Sequence, residues 1–167
     1  MMSHAVLIAL GANLPSRAGP PEDTIRAALA ELGERHVSVR CTSSLYRTPA
    51  WPDPGDPAYV NAVVRAETTL SPRELLRVLH ETETAFGRSR SARNAPRTLD
   101  LDLIDFDAIV DTGPPELPHP RAAARAFVLV PLAEVAPEWR HPVTGETVAA
   151  LIAGLPPDEV TSVRPVG

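Results

Sequence analysis

The sequence contains no lysine: its 16 lysine-or-arginine positions are all arginine. A chain without lysine cannot form a Schiff base with a carbonyl substrate or with pyridoxal phosphate, and it cannot use the lysine of a P-loop. Any phosphate group that the protein handles must therefore be bound by arginine, histidine or a metal ion.

Cysteine is almost as scarce, since Cys41 is the only one. A single cysteine excludes an internal disulfide framework, and no group of cysteines and histidines has the spacing of a zinc site. The chain also lacks an excess of positive charge, and its net charge of −5 argues against nucleic acid as the main partner.

The first ten residues lack a basic segment and hold only a short apolar run. We therefore expect neither a secretory leader nor a membrane span, and a cytoplasmic location.

Proline, by contrast, is abundant, with 19 residues. The proline-rich stretches 49–57, 114–120 and 156–157 fall between periodic segments, which is typical of ordered loops rather than of disordered tails. The chain has 167 residues, a length that favours one domain with a substantial core. We therefore expect a single domain over residues 1–167.

Hydrophobic periodicity and turn residues predict the order of strands and helices. The predicted strands are 4–10, 36–46, 59–70 and 99–104, with a further short strand at 106–110. The predicted helices are 20–33, 71–87, 126–135 and 148–152. The first strand is expected to end in a turn over 11–14, and 88–97 is expected to be an arginine-rich loop. Ser71, Pro72 and Glu74 are typical of a helix start with a capping box.

The first six of these elements run strand, helix, strand, strand, helix, strand, which is the split β-α-β pattern. We therefore expect an α+β protein with a ferredoxin-like α/β sandwich. It would have an antiparallel sheet, both helices on one face of that sheet, and an added C-terminal helical layer.

The last long strand carries two acids, Asp100 and Asp102, between leucines. Residues two apart on a strand point to the same face, so two carboxylates lie side by side there. Like charges this close cost free energy unless a cation lies between them. With Arg88, Arg90 and Arg93 just upstream, the pattern indicates a polyanionic ligand, such as a nucleoside triphosphate held with magnesium. The alternative is a solvated acidic face on an ordinary strand.

Several short patterns occur together and in order along the chain. They are Gly11-Ala12-Asn13-Leu14, Ser43-Ser44-Leu45-Tyr46-Arg47-Thr48-Pro49, Tyr59-Val60-Asn61, Pro96-Arg97-Thr98-Leu99-Asp100-Leu101-Asp102-Leu103, Leu117-Pro118-His119-Pro120 and Arg125-Ala126-Phe127-Val128-Leu129-Val130-Pro131-Leu132. From about residue 5 to about residue 150, the chain resembles the 6-hydroxymethyl-7,8-dihydropterin pyrophosphokinase family. That family transfers the β,γ-pyrophosphoryl group of ATP to the hydroxymethyl group of a reduced pterin, releases AMP and has a ferredoxin-like fold.

The resemblance implies roles on the ATP side of the site. Asp100 and Asp102 match acids that hold two magnesium ions bridging the phosphates. Arg90 and Arg93 match catalytic arginines of a mobile loop that closes over ATP. The other positions that match ATP contacts are His80, Glu83, Arg97, His119 and Arg125.

On the pterin side, Tyr59 and Phe127 match the aromatic pair that stacks on both faces of the ring. Asn61 matches a residue that binds the pterin edge, and Thr48 and Pro49 match residues that line the same pocket. The resemblance thus implies ATP and a reduced pterin as small-molecule partners and magnesium as the cofactor. We expect a monomer with neither nucleic acid nor membrane as a partner.

Two departures from the family pattern are visible. Asn94 stands where many members carry a tryptophan, and the loop around it is one residue shorter, so the loop is expected to pack less tightly on the substrates. Members often place an arginine shortly before the Pro-His element, where this chain has proline and Glu116, and Arg121 is a candidate substitute.

Taken singly, the matching residues also fit ordinary structural roles. By pattern alone, Phe127 suits the core, Tyr59 suits sheet packing and Glu83 suits an exposed helix surface. Two alternative functions follow. One is an ATP-dependent phosphotransferase with another acceptor, and the other is a ferredoxin-like regulatory domain that binds a small ligand.

Overall fold

The computed structural model describes residues 2–50, 54–87 and 98–166. Within these residues the chain is a mixed α/β protein with one six-stranded sheet and five α-helices. The strands are β1 (His4–Ala12), β2 (Val37–Thr42), β3 (Tyr46–Thr48), β4 (Tyr59–Thr68), β5 (Asp100–Phe106) and β6 (Arg164–Pro165). The helices are α1 (Pro21–Glu34), α2 (Pro72–Ala85), α3 (Ala126–Val135), α4 (Val148–Ala153) and α5 (Pro157–Thr161), with a 3₁₀ turn at Ala122–Ala124.

The strands are ordered β5-β1-β4-β3-β6, and their pairings are antiparallel, as expected. Strand β4 is the centre of the sheet, because β1 pairs with one of its edges while β2 and β3 share the other. This arrangement brings the ends of β1, β3, β4 and β5 together, which positions the site described below.

Each face of the sheet buries its own hydrophobic core. Alternate residues of β1 point to opposite faces, so Ile8 packs with α1 and α2 while Leu7 packs with α3 and α4. The first core contains Ile25 of α1 and Leu79 of α2, and the second contains Leu129 of α3. Helices α1 and α2 therefore share one core, and α3 and α4 contribute to a second.

The strand predicted at 36–46 is interrupted in the structure. Strand β2 ends at Thr42, and β3 begins at Tyr46 in a register shifted relative to the same neighbour, β4. At the interruption, Ser43 Oγ accepts the backbone N–H of Val63 at 3.0 Å, and the Ser43 N–H donates to the Val63 carbonyl at 3.0 Å. Sequence periodicity does not detect this break, at which the Ser43 side chain provides a hydrogen bond to β4 in place of a backbone carbonyl.

Two further predictions are wrong. The expected turn at 11–14 starts later, because Gly11 and Ala12 still belong to β1 and pair with β4. The short strand expected at 106–110 does not form. Asp107 and Ala108 adopt positive φ angles of 51° and 56°, and the Ala108 N–H donates to Asp105 Oδ2 at 3.1 Å. The chain turns there instead of extending.

The capping box predicted at the start of α2 is confirmed. Ser71 Oγ accepts the Glu74 N–H at 3.2 Å, and the Glu74 carboxylate accepts the Ser71 N–H at 2.9 Å. The helices predicted at 126–135 and 148–152 are also present.

In the part of the chain that the structure describes, no helix has both the length and the hydropathy needed to cross a bilayer.

Candidate active site

A cavity of about 1120 Å³ lies where the ends of β1, β3, β4 and β5 meet α2 and the start of α3. All the predicted site residues that the structure describes line this one cavity. They are Thr48, Pro49, Tyr59, Asn61, His80, Glu83, Asp100, Asp102, His119, Arg125 and Phe127. The three other predicted residues, Arg90, Arg93 and Arg97, lie outside the described residues, as does Asn94.

The acidic pair lies on the face of the sheet that α3 covers. Asp100 pairs with Gly11 and Asp102 pairs with Ala9, and residues paired across antiparallel strands point to the same face. Leu101, between the two acids, is 4% exposed and packs in the opposite core. Both acids are partly exposed to the cavity, and their small partners leave the space above them open. The strand geometry expected from the sequence is confirmed.

The chemistry of these donors suits magnesium. Mg²⁺ binds oxygen ligands and is commonly held by one or two carboxylates together with substrate phosphates and water. Among residues 2–50, 54–87 and 98–166, no group of three or more histidine, cysteine or acidic side chains is arranged to hold a metal ion. The described part of the protein thus offers two adjacent carboxylates, which fit a metal ion that shares its remaining ligands with a bound phosphate chain.

Glu83 lies beneath the acidic pair rather than on the surface of α2. It is 1% exposed, and its Oε2 accepts the backbone N–H of Leu101 at 2.8 Å. The interpretation of Glu83 as an ordinary surface acid of a helix is therefore wrong. The bond fixes the part of β5 that carries Asp100 and Asp102, because Leu101 is the residue between them.

His119 faces the acidic pair with a defined tautomer. Its Nδ1 accepts the Arg121 N–H at 3.2 Å, so in the neutral ring the proton is on Nε2, which lies 3.8 Å from Asp102 Oδ1. Burial lowers the pKa of His119, and the positive charges of Arg125 and Arg121 lower it further, against the opposing effect of Asp100. The ring therefore presents a neutral N–H donor to the cavity at neutral pH.

Two guanidinium groups, those of Arg121 and Arg125, line the cavity beside the acids. The Arg125 guanidinium also lies 5.5 Å from the centre of the Phe127 ring, within the range of a cation–π contact. The cavity wall thus places positive groups next to the carboxylates, which is the arrangement expected for a ligand that carries both phosphates and a metal ion.

The opposite side of the cavity is built around Asn61 of β4. Asn61 is 5% exposed, and its Nδ2 donates to Thr48 Oγ1 at 2.8 Å. A Cβ atom on Gly11 would lie 3.0 Å from Asn61 Oδ1, a tight contact that would require the Asn61 amide to shift by a few tenths of an ångström. Tyr59 and Phe127 line the same cavity, and both are partly buried.

Gly11 joins the two halves of the cavity. It pairs with Asn61 on one side and with Asp100 on the other, so the three residues form one row across β4, β1 and β5. Adjacent strands are about 4.8 Å apart, which places the Asn61 and Asp100 backbones roughly 10 Å from each other. Because Gly11 has no side chain, the space between the amide and the carboxylate is open.

Sequence reasoning missed part of the cavity wall. The sequence predicts a turn at Gly11, although a glycine inside a strand pattern is itself a sign of close approach by another group. Glu159, Ser162 and Val163 also line the cavity, because β6 pairs with β3 and holds the end of α5 against the site. No pattern in the C-terminal sequence indicated this.

Comparison with known proteins gives consistent matches. A family model described as 7,8-dihydro-6-hydroxymethylpterin-pyrophosphokinase (HPPK) matches residues 7–137. A 2-amino-4-hydroxy-6-hydroxymethyldihydropteridine pyrophosphokinase from a Synechocystis species is 41% identical over 165 residues, which cover 98% of this chain and 80% of that protein. A protein of the same name from Methylorubrum extorquens is 38% identical over 164 residues, which cover 98% of this chain and 100% of that protein.

Solved structures show the same fold. A crystal structure of Plasmodium falciparum HPPK-DHPS matches with a TM-score of 0.71 at 15% sequence identity. The match covers 91% of this chain and 44% of that chain, so this chain spans less than half the length of that protein.

Proposed function

The chain belongs to the 7,8-dihydro-6-hydroxymethylpterin-pyrophosphokinase family, and from this membership we propose that it transfers pyrophosphate from ATP to 6-hydroxymethyl-7,8-dihydropterin. AMP is the second product, and the pterin diphosphate enters folate biosynthesis. The structural observation that best supports this proposal is the row formed by Asn61, Gly11 and Asp100. It places a fixed amide and a carboxylate in one cavity with open space between them.

Asp100 and Asp102 would hold magnesium, and we propose two ions, as in the family pattern. When bound, magnesium neutralises charge on the phosphate oxygens and helps to orient the triphosphate. The protein's contribution is the fixed spacing of the two carboxylates along β5, which Glu83 supports through its bond to Leu101. A strand keeps these side chains in place better than a loop would.

The triphosphate would lie beside the two guanidinium groups and the neutral imidazole. Arg121 and Arg125 can form paired hydrogen bonds with phosphate oxygens, and His119 can donate one more from Nε2. A neutral His119 adds a donor without repelling the arginines. The family resemblance supports His80 and Arg97 as further ATP contacts, and Arg90 and Arg93 as catalytic arginines.

The pterin would occupy the Asn61 side of the cavity. Its edge carries hydrogen-bonding groups, for which the fixed amide of Asn61 provides a selective partner. Tyr59 and Phe127 would stack on the ring, and Pro49 would close the pocket beside Thr48. In the proposed orientation the hydroxymethyl group would face the acidic pair.

The reaction forms one bond between phosphorus and oxygen, breaks another, and releases the proton of the hydroxymethyl group to solvent. The hydroxymethyl oxygen attacks the β-phosphorus of ATP, and the bond between that phosphorus and the oxygen shared with the α-phosphate breaks. AMP leaves with that oxygen. Such transfers are catalysed mainly by positioning and by neutralising charge, which are what the residues of this cavity can supply.

We further propose a ferredoxin-like arrangement, a single domain over 1–167, and a cytoplasmic monomer. The support for the first is the order β1-α1-β2-β3-β4-α2-β5 with α1 and α2 in one core. Neither a nucleic acid nor a membrane is proposed as a partner, in keeping with the net charge of −5.

The products of the reaction test the proposal. Purified protein is incubated with ATP and Mg²⁺, with and without 6-hydroxymethyl-7,8-dihydropterin, and nucleotides and pterins are separated by chromatography. We expect AMP and a pterin diphosphate in equal amounts, formed only when the pterin is present. ADP with a pterin monophosphate would indicate an ordinary kinase, and the absence of any product would indicate a ligand-binding domain. Either result contradicts the proposal.

A further inference from the structure

Glu134 of α3 receives three hydrogen bonds from one short segment of the chain. Its Oε2 accepts the Ser44 N–H at 2.9 Å and the Ser44 hydroxyl at 3.0 Å, and its Oε1 accepts the Tyr46 hydroxyl at 2.5 Å. Glu134 does not line the cavity. The contacts instead connect α3 with the start of β3.

Both connected elements supply walls of the proposed pterin pocket. Tyr46 pairs directly with Asn61, and two residues later Thr48 accepts the hydrogen bond of the Asn61 amide. Helix α3 carries Phe127 seven residues before Glu134, which is two helical turns. The Glu134 carboxylate therefore fixes the position of β3, which carries Thr48, relative to α3, which carries Phe127.

Strand β3 needs such a support. It has three residues, follows the interruption at 43–45, and pairs with β4 over three residues and with β6 over two. A strand this short has little stability of its own. Hydrogen bonds to an ionised carboxylate are stronger than those between neutral groups, so Glu134 is well suited to fix it.

The ionisation of the two partners is compatible with this role. Partial burial acts to raise the pKa of Glu134, but the hydrogen bonds from Tyr46 and Ser44 lower it below its usual value. Burial, the bond to Glu134 and the charge of Glu134 raise the pKa of Tyr46 to about 12. At neutral pH the carboxylate is thus charged and the phenol keeps the proton that it donates.

We propose that Glu134 is a positioning residue for the pterin, acting by holding β3 against α3 so that Thr48, Asn61 and Phe127 keep the spacing that the ring requires. This inference rests on the proposed function of the cavity and adds a residue that touches neither substrate. It predicts a larger effect on the pterin than on ATP, because Thr48 lies on the strand that Glu134 holds, whereas Arg125, the N-cap of α3, is an ATP-side group on the connected elements.

The test compares E134A and E134Q with E138Q. Glu138 is a matched control because it is an exposed acid just past the end of α3, paired with Arg65 at 3.3 Å. For each variant, KM for the pterin, KM for ATP, kcat and Tm are measured. For E134A we expect the pterin KM to rise about fivefold, equivalent to ~1 kcal/mol. The ATP KM and kcat should stay within about twofold, and E134Q should fall between E134A and the wild type.

Y46F provides a milder variant that loses only the phenol bond, and it should raise the pterin KM in the same direction by a smaller factor. A fall in Tm with unchanged pterin KM would show that Glu134 is structural only and would overturn the inference. Equal changes in both KM values would do the same.

Binding of 6-hydroxymethylpterin, followed by its fluorescence, separates this inference from the proposed function. If the wild type binds the pterin but releases no AMP, the proposed reaction fails while the inference still predicts weaker binding by E134A. A wild type that does not bind the pterin overturns both.

Discussion

Glu83 Oε2 accepts the backbone N–H of Leu101 at 2.8 Å, at the residue that separates Asp100 from Asp102. The helix α2 thus holds the acidic strand from its outer edge, since β5 pairs with β1 on the other side. An acid that is 1% exposed and bonded to a backbone N–H acts here as part of the framework of the site.

E83A should therefore impair turnover through the acidic pair. The backbone N–H of Leu101 would lose its hydrogen-bond acceptor, and the part of β5 that carries the two carboxylates would no longer be held in place. We expect a loss of about tenfold to a hundredfold in kcat, the range seen when groups that orient metal ligands are removed. E83Q keeps an acceptor oxygen and should lose less. The measurement is the Mg²⁺ dependence of AMP release, with E81Q, a change at an exposed acid of the same helix, as the control. Equal activity of E83A and E81Q would contradict the account.

D100N and D102N should each abolish most of the activity while the fold is retained. The amide cannot replace a charged oxygen ligand of magnesium. We expect a decrease in kcat of more than about a hundredfold, because even indirect disturbance of metal ligands costs 10–100-fold. Circular dichroism and Tm establish that the variants fold, and D23N, at an exposed acid paired with Arg26, is the control. Near-normal turnover of either active-site variant would rule out the metal role of that residue.

G11A should weaken pterin binding. The added Cβ would lie 3.0 Å from Asn61 Oδ1, so the amide must shift by a few tenths of an ångström, which strains its hydrogen bond to Thr48. We expect the pterin KM to rise at least about fivefold, or ~1 kcal/mol, with a smaller change in the ATP KM. G33A is the matched control, since nothing lies within 4 Å of a Cβ at that helical position. It should leave the kinetics unchanged and raise stability by about 0.5–1 kcal/mol. A G11A enzyme with the pterin KM of the wild type would show that Asn61 does not depend on Gly11.

The T48V variant tests whether the pterin pocket depends on the hydroxyl group of Thr48 or only on the shape of its side chain. The valine leaves the buried Asn61 amide without its acceptor, which costs about 1–3 kcal/mol of folding free energy. We expect a lower Tm and a higher pterin KM, while T48S, which keeps the hydroxyl, should retain the wild-type pterin KM. Thermal unfolding and steady-state kinetics on both variants provide the test. The same pterin KM for T48V and T48S would mean that the hydrogen bond does not serve the pterin.

Asp105 should make stability depend on pH. Burial raises its pKa, although the Ala108 N–H acts in the opposite direction. The folded protein therefore binds this proton more tightly than the unfolded chain does. The resulting stabilisation is complete when the pH is below the pKa of the unfolded chain, about 3.9, and it is lost as the pH rises through the pKa of the folded protein. Urea unfolding of wild type and D105N from about pH 4 to about pH 7 should show the wild type losing stability relative to the variant. If the free energy of unfolding of the wild type minus that of D105N stays constant or rises with pH, this prediction is contradicted.

The sequence predicted the acidic strand well because its signal is local. Leu99, Leu101 and Leu103 alternate with acids. This alternation alone assigns the leucines to a buried face of the strand and the acids to the opposite face. The capping box at Ser71 and Glu74 is equally local, and it too is confirmed.

Features that depend on contacts between distant residues were not predictable. The need for glycine at position 11 arises from Asn61, 50 residues away in the chain, and the burial of Glu83 arises from Leu101 on another element. Strand β6 has two residues, one of them a proline, so no periodicity marks it, and only its pairing with β3 defines it. The roles of all the site residues, those of Arg90, Arg93 and Arg97 included, stay predictions.

The most direct test of the whole account is a crystal structure with Mg²⁺, 6-hydroxymethylpterin and α,β-methylene-ATP, in which the bond to be broken is replaced by one that cannot break. We predict the pterin against Asn61 and Thr48 and the triphosphate beside Asp100 and Asp102. The hydroxymethyl oxygen should lie within about 3.5 Å of the β-phosphorus, in line with the methylene group. A nucleotide bound away from the two aspartates, or a pterin outside this cavity, would contradict the account.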